Sequence, residues 1–108
     1  MISIPMSKPS NDLRQKIVEF RSVLGNNRTP GNNPEAIYKI EEISNAVAAI
    51  DPETGSKTKE IACIARIYYD LDKWKRSKAS PEEMYSKMLN ELLGWLETRA
   101  NILEHHNG

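Results

Sequence analysis

The chain has 108 residues, room for one domain with a modest core and too few for two independent ones. Its 15 basic and 15 acidic side chains cancel, which removes bulk charge as a reason to bind nucleic acid or an anionic membrane. Charged residues at 28% against 39% hydrophobic fit a folded chain rather than a disordered one, and no apolar run approaches a membrane span or a secretory signal.

From the N-terminus, residues 1–10 carry Pro5 and Pro9 and read as a flexible arm. Beyond them, apolar residues recur in alternating steps of four and three. The four sets are Leu13/Ile17/Phe20/Leu24, Ala36/Ile40/Ile43/Val47/Ile50, Ile61/Ile64/Tyr68/Leu71 and Tyr85/Leu89/Leu92/Leu96, the last rejoining at Leu103. A period near 3.5 keeps one stripe of a helix turned toward its neighbours. The expected fold is therefore all-α, a small antiparallel four-helix bundle with coiled-coil-like packing over residues 11–104, dimeric through its C-terminal helix and followed by a flexible tail, 105–108.

The first helix is expected from about Asn11 to Leu24, ended by Gly25 in the left-handed conformation. Nine turn-forming residues follow, Gly25 to Asn33, the expected most mobile internal segment. Asn33-Pro34-Glu35 opens a second helix that reaches about Ile50. Asp51-Pro52-Glu53 repeats the start signal, and the third helix, beginning at Pro52 or near Ser56, is expected to continue to about Arg76. Ser80-Pro81-Glu82-Glu83 has the form of a capping box and starts the fourth, which reaches about Glu104. At 1.5 Å per residue the last two helices would span roughly 30 to 38 Å and overhang the first two, at about 21 to 25 Å.

Several constellations are candidates for function. Met84, Met88, Trp95 and Ile102 form a second apolar stripe beside the core stripe of helix four. Such a broad face either packs on two sides as the central element of the bundle or meets a partner, and Met and Trp are enriched where surfaces meet other proteins. Lys59, Arg66 and Lys73 stand seven apart and run into Lys75, Arg76 and Lys78 around Trp74, a basic ridge with an aromatic ring suited to nucleic acid. Cations near a helix C-terminus also follow from the dipole alone.

Arg99 falls where the core stripe of helix four calls for Leu, so its charge must pair, reach the rim or do chemistry. The segment Arg99 to His105 resembles the loose arginine and histidine motif of HEPN-type ribonucleases, which are also small helical bundles. The resemblance implies metal-independent RNA cleavage with Arg99 and His105 at a shared dimer cleft. It covers only the tail, and Ala100 stands where that family carries a polar residue after the arginine.

No helix places two acids, or an acid and a histidine, at i+3 or i+4, the arrangement that magnesium and di-iron sites in bundles require. Glu104, His105 and His106 lack a third ligand at helical spacing, so no metal or cofactor is expected. Thr54-Gly55-Ser56-Lys57-Thr58 lacks the glycine and Gly-Lys order of a phosphate loop, and Cys63 has no histidine in its helix. A lone cysteine and no export signal place the chain in a reducing cytoplasm. The expected function is a non-enzymatic cytosolic adaptor or regulator that binds another protein through Met84, Met88, Trp95 and Ile102 and forms a homodimer. The alternatives are the basic ridge on nucleic acid and the HEPN-like ribonuclease.

Overall fold

A computed structural model describes residues 9–76 and 80–106. Every described element is helical: α1 (Pro9–Asn26), α2 (Pro34–Ile50), α3 (Pro52–Tyr68), the short α4 (Leu71–Arg76), and then α5 (Pro81–Ser86), a π-helical turn (Lys87–Leu92) and α6 (Leu93–His106), which run on as one rod. Four long helices therefore make the bundle, α4 being a single extra turn and a half. Of the arm expected over residues 1–10, Pro9 and Ser10 belong to α1, and of the tail expected over 105–108, His105 and His106 belong to α6; residues 1–8 and 107–108 lie outside the described residues.

Local chemistry sets most boundaries. Asn33 Oδ1 accepts from the Ala36 amide at 3.2 Å, Asp51 Oδ2 from the Thr54 amide at 3.3 Å, and Ser80 Oγ from the Glu83 amide at 3.1 Å, each with proline in the first turn. Asp51 alone joins α2 to α3, which settles the start of α3 at Pro52. Gly25 does not end α1. The helix continues to Asn26, and among the described residues only Gly31 has positive φ, at 101°.

α3 stops at Tyr68, eight residues short of the expected Arg76. The carbonyls of Tyr68 and Tyr69 accept from the Gly31 and Asn33 amides at 2.7 and 2.8 Å, so the backbone is tied to the α1–α2 loop instead of continuing the helix. Asp70 Oδ1 then caps the restart by accepting from the Lys73 amide at 3.0 Å. With α3 no longer than α2, only the last rod exceeds its neighbours, and the expected long pair becomes one long element.

The core of α1 and α2 is the stripe read from the sequence: Leu13, Ile17, Phe20 and Leu24 against Ala36, Ile40, Ile43 and Val47, all buried. Burying such side chains contributes about 1.5–3 kcal/mol each. α2 and α3 approach most closely. A Cβ on Gly55 would lie 2.5 Å from the Cα of Ala48, and the buried hydroxyls of Ser44 and Thr58 meet at 2.8 Å. α1 packs against α2 and α6, while the start of the last rod packs on α3.

The last rod departs from the expected stripe. Its buried residues are Met84, Met88, Leu92, Leu96 and Ala100, with Leu93 beside them, while Tyr85 and Leu89 are only half-buried. Each four-residue step in an α-helix overshoots a full turn by about 40°, so this series would wind off the core within a few turns. The π-helical turn closes i→i+5 bonds and holds an extra residue, which takes the overshoot back. Beyond it the core side falls on Ala100, and Arg99 stands beside the core rather than in it.

Candidate binding surface

Arg28, Asn27 and Leu24 form the end of α1 and its loop, and three tyrosines hold them. Tyr85 donates to the Leu24 carbonyl at 2.7 Å, Tyr69 to that of Asn27 at 2.6 Å, and Tyr68 to that of Arg28 at 2.6 Å. Asn27 donates to the Val23 carbonyl at 2.7 Å and accepts from the Asn33 side-chain amide at 2.8 Å. The Arg28 guanidinium lies 5.8 Å from the centre of the Tyr85 ring. The segment expected to be the most mobile is thus tied at Asn27, Arg28, Gly31 and Asn33. Burial raises the Tyr68 and Tyr69 hydroxyls above their ordinary pKa, their close tyrosine neighbours adding to it, with Arg28 opposing the shift at Tyr68. Both therefore stay protonated and able to donate.

Beside this brace, α1 and α2 leave a groove of about 570 Å³. Half-buried Val23, buried Ile43 and exposed Tyr38 line it together with Glu19, Glu35, Lys39 and Glu42. Tyr38 is 67% exposed, the most exposed large hydrophobic side chain among the described residues, ahead of Val18 at 58%. Glu19 pairs with Lys16 at 3.0 Å and Glu35 with Lys39 at 3.2 Å, both along one helix and worth little in water. No sequence feature marked this groove. Tyr38 breaks no periodicity, and its neighbours across α1 come together only once the loop is folded.

The expected partner face is divided by the fold. Met84 is 6% exposed and Met88 is fully buried, both on the core side of the rod. Trp95 is half-buried, its ring centre 5.4 Å from the Lys57 ammonium, and Ile102 alone is exposed, at 41%. Two of the four are thus core residues, and Trp95 and Ile102 are the two that keep exposed surface.

The basic ridge is divided as well. The break at Tyr68 separates Lys59 and Arg66 on α3 from Lys73, Lys75 and Arg76 on α4, and Lys78 lies outside the described residues. Arg66 is taken by Glu41 of α2, donating from Nε at 3.0 Å and also from Nη2. Arg76 donates from Nε to the Asp72 carbonyl at 3.3 Å. Lys59, Lys73 and Lys75 are exposed.

Arg99 is paired. Its Nε donates to Asp51 Oδ2 at 3.2 Å and its Nη2 lies 3.1 Å from Glu53 Oε2, leaving 22% of the side chain exposed. His105 is exposed and, six residues on, about 120° away around the helix axis. The two residues of the ribonuclease-like motif are not brought together. On the other side of α6, Arg21 pairs with Glu97, and Arg14 bonds Asn101 at 2.6 Å and Glu104 at 2.9 Å, which fastens α1 to the rod. Among the described residues no group of three or more His, Cys, Asp or Glu side chains could hold a metal ion, and no helix is long and apolar enough to cross a membrane. The chain matches no family model, no curated protein and no solved structure, so the arrangement of its own residues carries the functional reading.

Proposed function

We propose that this chain is a non-enzymatic cytoplasmic protein-binding module, an antiparallel four-helix bundle whose contact surface is the α1–α2 groove around Tyr38. The opposed order of the contacts supports the antiparallel arrangement: Ala48 with Gly55, Ser44 with Thr58 and Glu41 with Arg66 on α2 and α3, Arg14 with Asn101 and Arg21 with Glu97 on α1 and α6. The carrying observation is Tyr38, exposed to solvent in a groove that Val23 and Ile43 also line, while the bundle's other three tyrosines hydrogen-bond the end of α1 and its loop. Tyrosine concentrates binding energy at protein interfaces because it brings a large rigid face with little entropy to lose. Two of the arginines that invited another reading are engaged structurally, Arg99 with Asp51 and Glu53, Arg66 with Glu41.

A photo-reactive benzoylphenylalanine placed at position 38, and separately at exposed Ala49 of the same helix, tests this in the cells that make the protein. A discrete protein adduct at 38 and none at 49 is the expected result. Equal labelling at both positions, or none at 38, would remove the reading.

A further inference from the structure

The end of α3 has its cause outside α3. Between Gly55 and Pro81 the chain has neither glycine nor proline, and the apolar series Ile61, Ile64, Tyr68 and Leu71 runs straight across the break. Tyr69 leaves helical geometry at φ −99° and ψ 11°, yet its amide still bonds the Ala65 carbonyl at 2.9 Å, as in a helix. Only the carbonyls that follow are diverted. In a continuous helix those of Tyr68 and Tyr69 accept from the amides of Asp72 and Lys73. Here they accept from Gly31 and Asn33 of the α1–α2 loop, and the Lys73 amide goes to Asp70 Oδ1.

The bent and the continuous arrangement thus exchange backbone bonds nearly one for one, and backbone bonding by itself favours neither. The balance falls to the loop, which Tyr68, Tyr69 and Tyr85 hold by donating to the carbonyls of Arg28, Asn27 and Leu24. The connection to the last rod permits the longer helix. α3 and the rod meet in opposed order, Lys57 with Trp95 and Tyr68 with Tyr85. A helix prolonged to Arg76 ends about 12 Å past Tyr68, while Pro81 stands about 6 Å past Tyr85. The five Cα steps from Arg76 to Pro81 reach up to about 17 Å, enough to join those ends across helices about 8–10 Å apart.

We infer that the α3–α4 junction is a two-state hinge, bent while the α1–α2 loop holds the Tyr68 and Tyr69 carbonyls, and one helix from Pro52 to Arg76 when the loop lets go. Loop and α4 are then coupled in both directions. A contact that draws the loop away lengthens α3, and one that grips the longer helix frees the loop. The straight state also returns Lys59, Arg66 and Lys73, which the bend divides, to steps of seven along one helix. The hinge does not depend on the groove at Tyr38.

Nitroxide labels at Lys59→Cys and Lys75→Cys, both exposed sites, read the hinge in the full chain once exposed Cys63 is replaced by Ser. From Lys59 to Lys75 a continuous helix rises about 24 Å, and a bend shortens that separation. The parent should give the shorter distance. Asp70→Ala removes the cap of α4 and supplies a better helix former, and Tyr69→Phe loosens the loop. Together they should lengthen the distance toward that of the straight helix, while the Gly31 and Asn33 amides lose their protection from hydrogen exchange. Adding Leu71→Pro, tolerated at the first position of a helix but not inside one, should bring the short distance back. A loop that exchanges freely while the distance stays short overturns the hinge. So does an unchanged distance with the loop still protected, or a long distance that survives Leu71→Pro. Should the double variant lose its cooperative melting, Asp70→Ala alone is read in the same way: a second population at the longer distance supports the hinge, and a single short distance overturns it.

Discussion

The Arg99 guanidinium donates to the carboxylate of Asp51 at 3.2 Å, tying the last helix to the single residue that joins α2 and α3. The same carboxylate caps α3, accepting from the Thr54 amide and from its hydroxyl. Burial pushes the Asp51 carboxyl up, but the bonds from Thr54 and Arg99 outweigh it and hold the group below its ordinary 3.8. A carboxyl lowered by folding stabilises fully above its unfolded pKa and loses that contribution as pH falls through the folded value. Stability should therefore drop below about pH 3.8 in the parent chain, and the Asp51→Asn variant should show a shallower acid limb in urea titrations. At neutral pH, Arg99→Leu should cost about 1–2 kcal/mol and Asp51→Ala about 2–3, the second losing a helix cap as well as the pair. Equal acid limbs for parent and Asp51→Asn would show that the pair carries no pH-dependent stability.

Two glycines predict opposite outcomes for one substitution. Gly55 faces Ala48 across the closest approach of α2 and α3, with 2.5 Å between its would-be Cβ and a backbone atom that cannot swing away. Gly55→Ala must part the helices and should cost about 1–3 kcal/mol. Gly94 lies within α6, with nothing inside 4 Å of a Cβ built on it. Gly94→Ala removes unfolded-chain entropy at no steric cost and should stabilise by about 0.5–1 kcal/mol. Urea midpoints moving in opposite directions at constant m-value check both.

The tyrosine brace predicts an alkaline limit. Burial raises Tyr69 above its ordinary 10.0, with Tyr68 and Tyr85 adding to the shift. A group whose pKa is raised by folding stabilises fully below the unfolded value and loses that contribution as pH rises through the folded one. Stability should start to fall near pH 10, by at most about 1.4 kcal/mol per pH unit for this residue. Tyr69→Phe should cost about 1 kcal/mol at neutral pH by orphaning the Asn27 carbonyl, and should flatten the alkaline limb. An alkaline limb as steep in Tyr69→Phe as in the parent would exclude the brace as its cause.

α1 and α2 were legible in the sequence because each is a regular helix whose four-and-three spacing maps directly onto the buried face. The capping residues Asn33, Asp51 and Ser80 were legible too, since a cap acts within three residues. The stop at Tyr68 was not. It depends on Gly31 and Asn33, some 37 residues away in sequence, taking the Tyr68 and Tyr69 carbonyls, and on the Tyr hydroxyls finding carbonyls in that same loop. The groove at Tyr38 was hidden for the same reason, as its lining is drawn from both α1 and α2. The stripe of helix four misled because its reading assumed α-helical winding throughout, and one π-turn moves the core from Arg99 to Ala100.

That π-turn makes a prediction of its own. It accommodates one residue more than an α-helix would between Met88 and Leu96, so deleting one exposed residue from it should leave an ordinary helix with its core side intact. After removal of Asn90, the buried series shortens by one residue in a single step, from four to three, and the mean spacing falls toward 3.6. The variant should stay folded, with helical circular dichroism preserved and stability within about 1 kcal/mol of the parent. Deleting exposed Thr98 from α6 instead turns Ala100 and everything after it by about 100° and pulls Arg99 away from Asp51. That variant should lose about 3 kcal/mol or more through misplaced core residues and an unpaired charge. If the two deletions were equally damaging, the π-turn would not be compensating for an extra residue, and the four-residue spacing of the last rod would need another cause.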